Sequence, residues 1–259
     1  MSPATDALPP FHRTALLLDL DGTLLDFAPT PMAVIVPPTL KLTLARLCGE
    51  LSGALAVITG RPVDQIDTLL PGIVPVVAGE HGGAIRPAPG AALQRPDLPS
   101  VPAALLTEAE AFAARHPGVL LEPKARGFAV HYRLAPASGP AVADAIAAWV
   151  SPLAAEFEAL PAHMAWELRP RGATKGTAVA AIMALPDFTG RLPVFIGDDV
   201  TDEDGMVAAR RMGGAGLFVP EAFGTPAAVR DWLDRSLGAW AELPVQTAPF
   251  TPRGATSGS

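Results

Sequence analysis

Short apolar segments that end in Asp or Gly alternate along this chain with patterns typical of helices, and this alternation restricts the fold more than any other feature. Apolar runs of this length, bounded by turn residues, are typical of strands buried on both faces of a parallel sheet. The pattern predicts strands at residues 14–20, 54–59, 74–79, 192–197 and 216–219, and helices at 39–50, from Pro62 onward, at 174–185 and at 202–211. The sequence therefore predicts an α/β protein with a mainly parallel sheet.

The middle of the chain follows a different pattern. Residues 86–104 are rich in Pro and Ala, as expected of a linker with turns. The segments after it predict a helix at about 103–115, strands at 119–123 and 127–134, an Ala-rich helix at about 138–159, and a strand at 163–170. We interpret residues 86–169 as an inserted α+β domain with an antiparallel sheet, between core segments 1–85 and 170–243. Residues 244–259 have no periodicity and are expected to form a mobile tail.

Composition excludes several classes of protein. The 259 residues hold 19 Lys and Arg against 26 Asp and Glu, a formal net charge of −7, which argues against a nucleic-acid binder. Cys48 is the only cysteine, so no disulfide forms within the chain, as is common in the cytoplasm. No signal peptide and no run of about 18 apolar residues is found, so we expect a cytoplasmic protein with no membrane partner.

The first motif is LLLDLDGTLLD at residues 16–26, in which Asp19 and Asp21 stand where an apolar strand stops. Strand ends of this kind form the ligand-binding edge of open α/β sheets. A simple Asp-Gly turn would explain Asp21 but not Asp19, which lies within the apolar run. A carboxylate there is unfavourable unless it is paired or binds a metal ion, so we interpret both aspartates as functional.

The second motif is VFIGDDVTDEDG at residues 194–205, an apolar strand end followed by five acidic residues. A helix N-terminus capped by Thr201 or Asp202 would explain the later acids. It does not explain the adjacent carboxylates of Asp198 and Asp199, whose repulsion a divalent cation would relieve. Clustered carboxylates suit Mg²⁺, and the spacing does not match an EF-hand.

Two further segments indicate phosphate binding. Thr59-Gly60-Arg61 follows the second strand, although a threonine at a strand end is often only a helix cap. Residues 169–176, RPRGATKG, supply Arg171 and Lys175 before a helix, without the spacing of a Walker A loop.

These four segments, in this order, resemble the core motifs of the haloacid dehalogenase superfamily of phosphotransferases: Asp19-Leu20-Asp21-Gly22-Thr23, Thr59, Lys175 and Gly197-Asp198-Asp199. The resemblance implies a Rossmann-like core, and the insertion between the second and third motifs implies a type 2 cap domain. ITGRP (58–62), VAGEHGGAIR (77–86), HYR (131–133), ELRPRGATKG (167–176) and FIGDDVTDEDGM (195–206) further resemble the trehalose-6-phosphate phosphatase family over residues 14–235. Thr59 stands where that family more often has Ser, and the hydroxyl is kept.

The resemblance implies a role for each core residue. Asp19 is the nucleophile, Asp21 the general acid and base, and Thr59 and Lys175 bind the phosphoryl oxygens. Mg²⁺ is held by the Asp19 carboxylate, the Asp21 backbone carbonyl and Asp198, while Asp199 and Asp202 orient the metal's waters or Lys175.

The sugar of the substrate, trehalose 6-phosphate, requires further polar groups, for which the candidates are Gly60, Arg61, His81, Lys124, Arg133 and Glu167. Glu167 is the best supported of these, because it lies in an apolar strand where an unpaired charge is unfavourable. The alternative for His81 is to satisfy a backbone group, and the alternative for Lys124 is to be a solvated hairpin residue. Trp149 and Trp166 are expected in the core rather than stacked on sugar.

Three alternatives remain open at this point: a phosphatase for sucrose phosphate or a hexose phosphate, a phosphomutase, and a non-catalytic module. We expect a monomer that binds a small-molecule phosphate.

Overall fold

The structure is a computed structural model, and it describes residues 8–244. In chain order, the strands are β1 (Thr14–Leu18), β2 (Leu55–Ile58), β3 (Val76–Gly79), β4 (Ala84–Arg86), β5 (Leu120–Pro123), β6 (Phe128–His131), β7 (Phe157–Ala162), β8 (Ala165–Pro170), β9 (Leu192–Gly197) and β10 (Ala215–Phe218). The helices are α1 (Pro38–Glu50), α2 (Val63–Leu69), α3 (Ala103–Arg115), α4 (Gly139–Val150), α5 (Lys175–Met183), α6 (Asp202–Arg211), α7 (Val219–Ala222) and α8 (Pro226–Arg235).

The chain divides into two compact units. The first consists of the chain up to Phe27, Val34–Gln94 and the chain from Thr174 on, and the second of Ala28–Ala33 and Arg95–Ala173. The boundary therefore lies at Gln94 rather than at residue 85, because the backbone of Gln94 pairs with that of Ile85. Of the expected tail, residues 245–259 lie outside the described residues.

The first unit is built on a six-stranded sheet in the order β10-β9-β1-β2-β3-β4. All neighbours are parallel except β3 and β4, which pair antiparallel. Every residue of β1 and β2 is buried, because helices cover both faces of a parallel sheet. The order places β1 between β9 and β2, so the strands that precede the first motif, the second motif and Thr59-Gly60-Arg61 are neighbours.

The second unit contains a four-stranded antiparallel sheet in the order β5-β6-β8-β7. Helices α3 and α4 share one apolar core with this sheet, and Trp149 lies in that core as expected. The side chains of the opposite sheet face alternate with the core positions, and five of them are polar. That face carries Glu122, His131, Glu158, Glu167 and Arg169.

The mixed fold predicted from the sequence is confirmed, one local prediction is wrong, and some elements were not predicted. Residues 157–159 were expected to continue a helix, but α4 ends at Val150 and Phe157–Ala162 forms β7. Pro152 follows that end, and proline removes a helical hydrogen bond. Strand β4 and helix α8 were not predicted. No helix within residues 8–244 is long and apolar enough to cross a membrane.

Candidate active site

The carboxyl ends of β1, β2 and β9 bring three predicted motifs to one edge of the sheet of the first unit. Leu18 pairs with Val57 on one side and with Ile196 on the other, so the residues that follow these strands are neighbours. The Asp19 amide donates to the Ile196 carbonyl at 2.9 Å, which fixes the backbone where the nucleophile candidate begins. This edge is where open α/β sheets bind ligands.

Lys175, the first residue of α5, reaches the same edge and is buried there. Its Nζ lies 2.7 Å from Asp19 Oδ1 and 2.5 Å from Asp202 Oδ1. Burial lowers the pKa of Lys175, but the carboxylates of Asp19 and Asp202 outweigh it and hold the pKa well above its usual value. Lys175 is therefore a fixed cation next to the nucleophile candidate.

Asp19, Asp198 and Asp202 form an acidic group in which one carboxylate oxygen from each lies within 4.8 Å of the others. Burial raises the pKa of Asp19 to about 7, with Lys175 opposing that shift and Asp198 adding to it. Burial and the neighbouring carboxylates, Asp202 foremost, likewise raise the pKa of Asp198 to about 7. Three carboxylates against the single ammonium of Lys175 leave excess negative charge, and such a group of oxygen ligands is suited to a hard divalent cation.

Thr23 supports this group from the Asp21-Gly22-Thr23 turn. Its hydroxyl donates to Asp198 Oδ1 at 3.0 Å, which fixes the orientation of that carboxylate. Gly22 has φ +82° and faces Asp198 so closely that a Cβ atom would collide with the carboxylate. The sequence analysis quoted Gly22 and Thr23 as parts of a motif but assigned them no contact.

Asp202 and Asp199 of the second motif organise the start of α6. Asp202 is fully buried, and its Oδ2 accepts from the amides of Asp198 and Asp199 at 3.0 and 3.1 Å. Asp199 Oδ1 accepts from the amide and hydroxyl of Thr201 at 2.8 and 2.7 Å and from the Asp202 amide at 3.2 Å. The helix cap is thus Asp199 rather than Thr201 or Asp202. The predicted contact between Asp202 and Lys175 is present.

Asp21 pairs with Arg61. Arg61 Nε lies 2.5 Å from Asp21 Oδ2 and its NH2 lies 2.7 Å from Asp21 Oδ1, a two-point ion pair. Arg61 is 7% exposed, and its NH1 donates to Gln65 Oε1 at 3.1 Å. The sequence analysis assigned Arg61 to the sugar and did not identify this pair. The only available signal was Arg61 at the end of a strand next to β1.

Beside the Asp21–Arg61 pair, the loop that contains Thr59 and Gly60 contacts His81 closely. The amide of His81 donates to the Thr59 carbonyl at 3.0 Å, and Thr59 Oγ1 accepts from the Arg61 amide at 3.2 Å. His81 and the preceding Glu80 have φ values of +54° and +53°, a left-handed backbone that is unusual for residues other than glycine. A Cβ on Gly60 would lie 2.6 Å from His81 Nε2, so only glycine fits there without a shift.

In the second unit, two of the candidate sugar-binding residues pair with each other. Lys124 Nζ lies 2.5 Å from Glu167 Oε2, and both side chains are buried, with 5% and 8% exposed. Lys124 is therefore not the solvated hairpin residue that the sequence left open. Arg133 donates to the carbonyls of Ala28 and His163.

The polar face of the antiparallel sheet contains ion pairs that the sequence analysis missed. His131 Nε2 lies 3.0 Å from Glu122 Oε2. Arg169 and Arg171 both contact Glu158, at 3.0 and 3.4 Å, so Arg171 is engaged within the second unit. Alternation along β5 to β8 could have revealed these pairs only once strand register was known.

Comparisons with known proteins place this fold and site. A haloacid dehalogenase-like hydrolase from Bacteroides thetaiotaomicron is similar with a TM-score of 0.60 and 13% identity over 86% of this chain and 98% of that one. The C-terminal domain of C. albicans trehalose-6-phosphate phosphatase is similar with a TM-score of 0.75 and 18% identity, over 88% and 93% of the two chains. The fold is thus shared with haloacid dehalogenase-like hydrolases.

Sequence similarity gives the family. The family model for trehalose-phosphatase matches residues 17–218. A probable trehalose-phosphate phosphatase from Sinorhizobium fredii is 41% identical over 209 residues, which cover 79% of this chain and 77% of that protein. The chain belongs to the trehalose-phosphatase family, and it is a phosphatase.

Proposed function

We propose that this protein hydrolyses trehalose 6-phosphate to trehalose and phosphate, the last step of trehalose biosynthesis, with Mg²⁺ and through an aspartyl-phosphate intermediate. The observation that carries the proposal is the position of Asp19: a buried carboxylate at the end of β1, 2.7 Å from the Lys175 ammonium and grouped with Asp198. The first unit is then the hydrolase core, and the second unit is the cap.

The residues present are suited to Mg²⁺. The available donors are carboxylate oxygens, which Mg²⁺ prefers. Burial, and after it the neighbouring carboxylates, raise the pKa values of Asp19 and Asp198, and a bound cation would stabilise their charged forms. We assign the metal to the Asp19 and Asp198 carboxylates and the Asp21 carbonyl. Both oxygens of Asp202 already accept hydrogen bonds, so Asp202 is assigned to orienting Lys175, and Asp199 to the start of α6. Bound there, Mg²⁺ would offset the repulsion between the phosphoryl group and the nucleophile.

In the first half of the reaction, a carboxylate oxygen of Asp19 attacks phosphorus and the bond from phosphorus to the sugar oxygen breaks. Asp21 gives its proton to that departing oxygen. Lys175 donates to the phosphoryl oxygens. Thr59 already accepts from the Arg61 amide, so its hydroxyl proton is directed elsewhere and serves as a second donor, with the Gly60 amide beside it.

In the second half, the Asp21 carboxylate takes a proton from water. The oxygen of that water attacks phosphorus, and the bond between phosphorus and Asp19 breaks, which frees phosphate and restores the carboxylate. The same group serves as acid and then as base, so each turnover returns Asp21 to its starting protonation state.

The candidates for recognition of the sugar are Lys124, Arg133 and Glu167, which belong to the second unit, and Arg61 and His81, which belong to the first. The Lys124–Glu167 pair supports this assignment, because a buried, fixed ion pair presents oriented donors and acceptors for hydroxyl groups. A monomer in the cytoplasm remains our expectation.

The test is phosphate release from trehalose 6-phosphate, sucrose 6-phosphate and glucose 6-phosphate, each with Mg²⁺ and with EDTA. We expect preferential turnover of trehalose 6-phosphate and its loss in EDTA. Higher kcat/KM on either other sugar phosphate would assign the protein to that substrate. Transfer of the phosphoryl group to a second sugar position without phosphate release would indicate a phosphomutase.

A further inference from the structure

The Arg61 side chain is held at both of its ends. Its Nε and NH2 form the two-point pair with the Asp21 carboxylate, and its NH1 donates to Gln65 Oε1 at 3.1 Å. A guanidinium group is planar and has only donors, so an acceptor on each side fixes the orientation of its plane. Gln65 is thus one of the groups that determine how Arg61 meets Asp21.

The backbone makes Gln65 a rigid support. Pro62 caps α2, and Gln65 is the third residue of that helix, four positions after Arg61. Val63 and Ile66 of α2 are buried in the core, which fixes the helix that carries Gln65. Through its hydrogen bond with Gln65, the position of α2 restricts the position of the Arg61 guanidinium group.

We propose that Gln65 is a positioning residue of the phosphatase reaction, which holds Arg61 and, through it, fixes the carboxyl plane of Asp21 for proton transfer. The inference rests on the proposed function, in which Asp21 protonates the departing sugar oxygen. The two-point pair uses one lone-pair site on each Asp21 oxygen and leaves a second site on each for the transferred proton. Proton transfer requires close alignment, so a small rotation of this plane slows it.

Substrates with different leaving groups distinguish a positioning role of Gln65 from a merely structural role. A sugar alkoxide is a poor leaving group and requires a proton, whereas nitrophenolate departs without one. Because kcat/KM reports the steps up to transfer of the phosphoryl group to Asp19, misplacement of Asp21 lowers kcat/KM for the sugar phosphate more than for a nitrophenyl phosphate. Partial unfolding lowers both equally, so their ratio does not change.

The experiment measures kcat/KM for trehalose 6-phosphate and for p-nitrophenyl phosphate in Gln65→Leu, Gln65→Ala, Asp21→Asn and wild type. The control is Thr68→Ala, an exposed position one turn further along α2 whose hydroxyl bonds only the helix backbone, at the Asp64 carbonyl. We expect the sugar-to-nitrophenyl ratio to fall roughly three- to tenfold in both Gln65 variants, as for loss of one ordinary hydrogen bond, and to be unchanged in Thr68→Ala.

The outcomes distinguish the inference from the function on which it rests. If Asp21→Asn lowers the ratio and the Gln65 variants keep it within twofold of wild type, the positioning role of Gln65 is wrong and the proposed function stands. If Asp21→Asn does not lower the ratio, the acid role of Asp21 is wrong and the inference fails with it.

Discussion

At the scale of the residue, the most informative side chains are those whose placement is unfavourable without a partner. Asp19 interrupts an apolar run, and the sequence alone showed that it required a cation or a metal. The structure supplies Lys175 at 2.7 Å, a partner 156 residues further along the chain. The partner of Asp21 is less accessible to sequence reasoning, because Arg61 was equally plausible as a ligand for the sugar.

Replacing Asp19 by Asn removes the proposed nucleophile and keeps an oxygen that accepts from Lys175. We expect turnover to fall by at least roughly a thousandfold, as for loss of other nucleophiles, with the fold retained. Phosphate release and circular dichroism measure the two effects. A variant with substantial phosphatase activity would refute the assignment of Asp19.

Replacing Gly60 by Ala places a Cβ 2.6 Å from His81 Nε2, and we expect a loss of about 1–3 kcal/mol in the free energy of unfolding. The matched control is Gly49→Ala within α1, where no atom lies within 4 Å of the added Cβ. That change should stabilise the protein by about 0.5–1 kcal/mol. Denaturant unfolding gives both values, and equal effects in the two variants would contradict the proposed close contact.

At the scale of the element, the local sequence pattern predicts a helix correctly where clear start and stop residues bound the segment. Helices α3 and α6 were predicted at Ala103–Arg115 and Asp202–Arg211, where the structure has them. The prediction was wrong for β7, because Ala, Glu and Leu favour helix locally and the pairing of β7 with β8 is a contact between segments. Strand β4 is three residues long and has no periodicity to detect.

The start of α5 connects helix capping to the site. Thr174 accepts from the Thr177 amide, and Thr177 accepts from the Thr174 amide, a capping box directly before Lys175. Thr174→Ala should lower the free energy of unfolding by about 1 kcal/mol and also lower kcat, because it loosens the turn that carries Lys175.

Thr225→Ala is the matched control, since Thr225 caps α8 by the same contact, to the Ala228 amide. It should cost a similar free energy without lowering kcat. Thermal unfolding and phosphate release distinguish the pair. Equal kcat in both variants would show that the cap does not influence Lys175.

At the scale of the whole molecule, a cluster of the acidic residues behind the net charge of −7 lies at one edge of the sheet. Seven of the 26 acidic residues lie within residues 19–21 and 198–204. Parallel pairing of β1 with β9 brings these segments to one sheet edge, where burial strengthens their repulsion. The fold is therefore expected to gain stability from a cation at this edge.

Metal addition tests that expectation. Mg²⁺ at about a hundred times its dissociation constant should raise the free energy of unfolding by about 2.7 kcal/mol relative to EDTA, because it binds the folded state only. Asp198→Asn should raise stability in EDTA, since it removes one of the repelling carboxylates while an oxygen still accepts from Thr23. It should also lose most of the Mg²⁺ effect. Thermal unfolding in both buffers measures this, and a full Mg²⁺ effect in Asp198→Asn would place the metal elsewhere.

The sequence by itself determined the class of fold, the four core motifs and the chemistry of their side chains, because apolar periodicity and an acid within a buried strand are local properties. Only the tertiary structure decided the partners: Lys175 with Asp19, Arg61 between Asp21 and Gln65, and Lys124 with Glu167. It also decided the register of the antiparallel sheet. Burial fixes which residues must have a partner, but which group supplies it depends on strand order and packing across distances that no local pattern encodes.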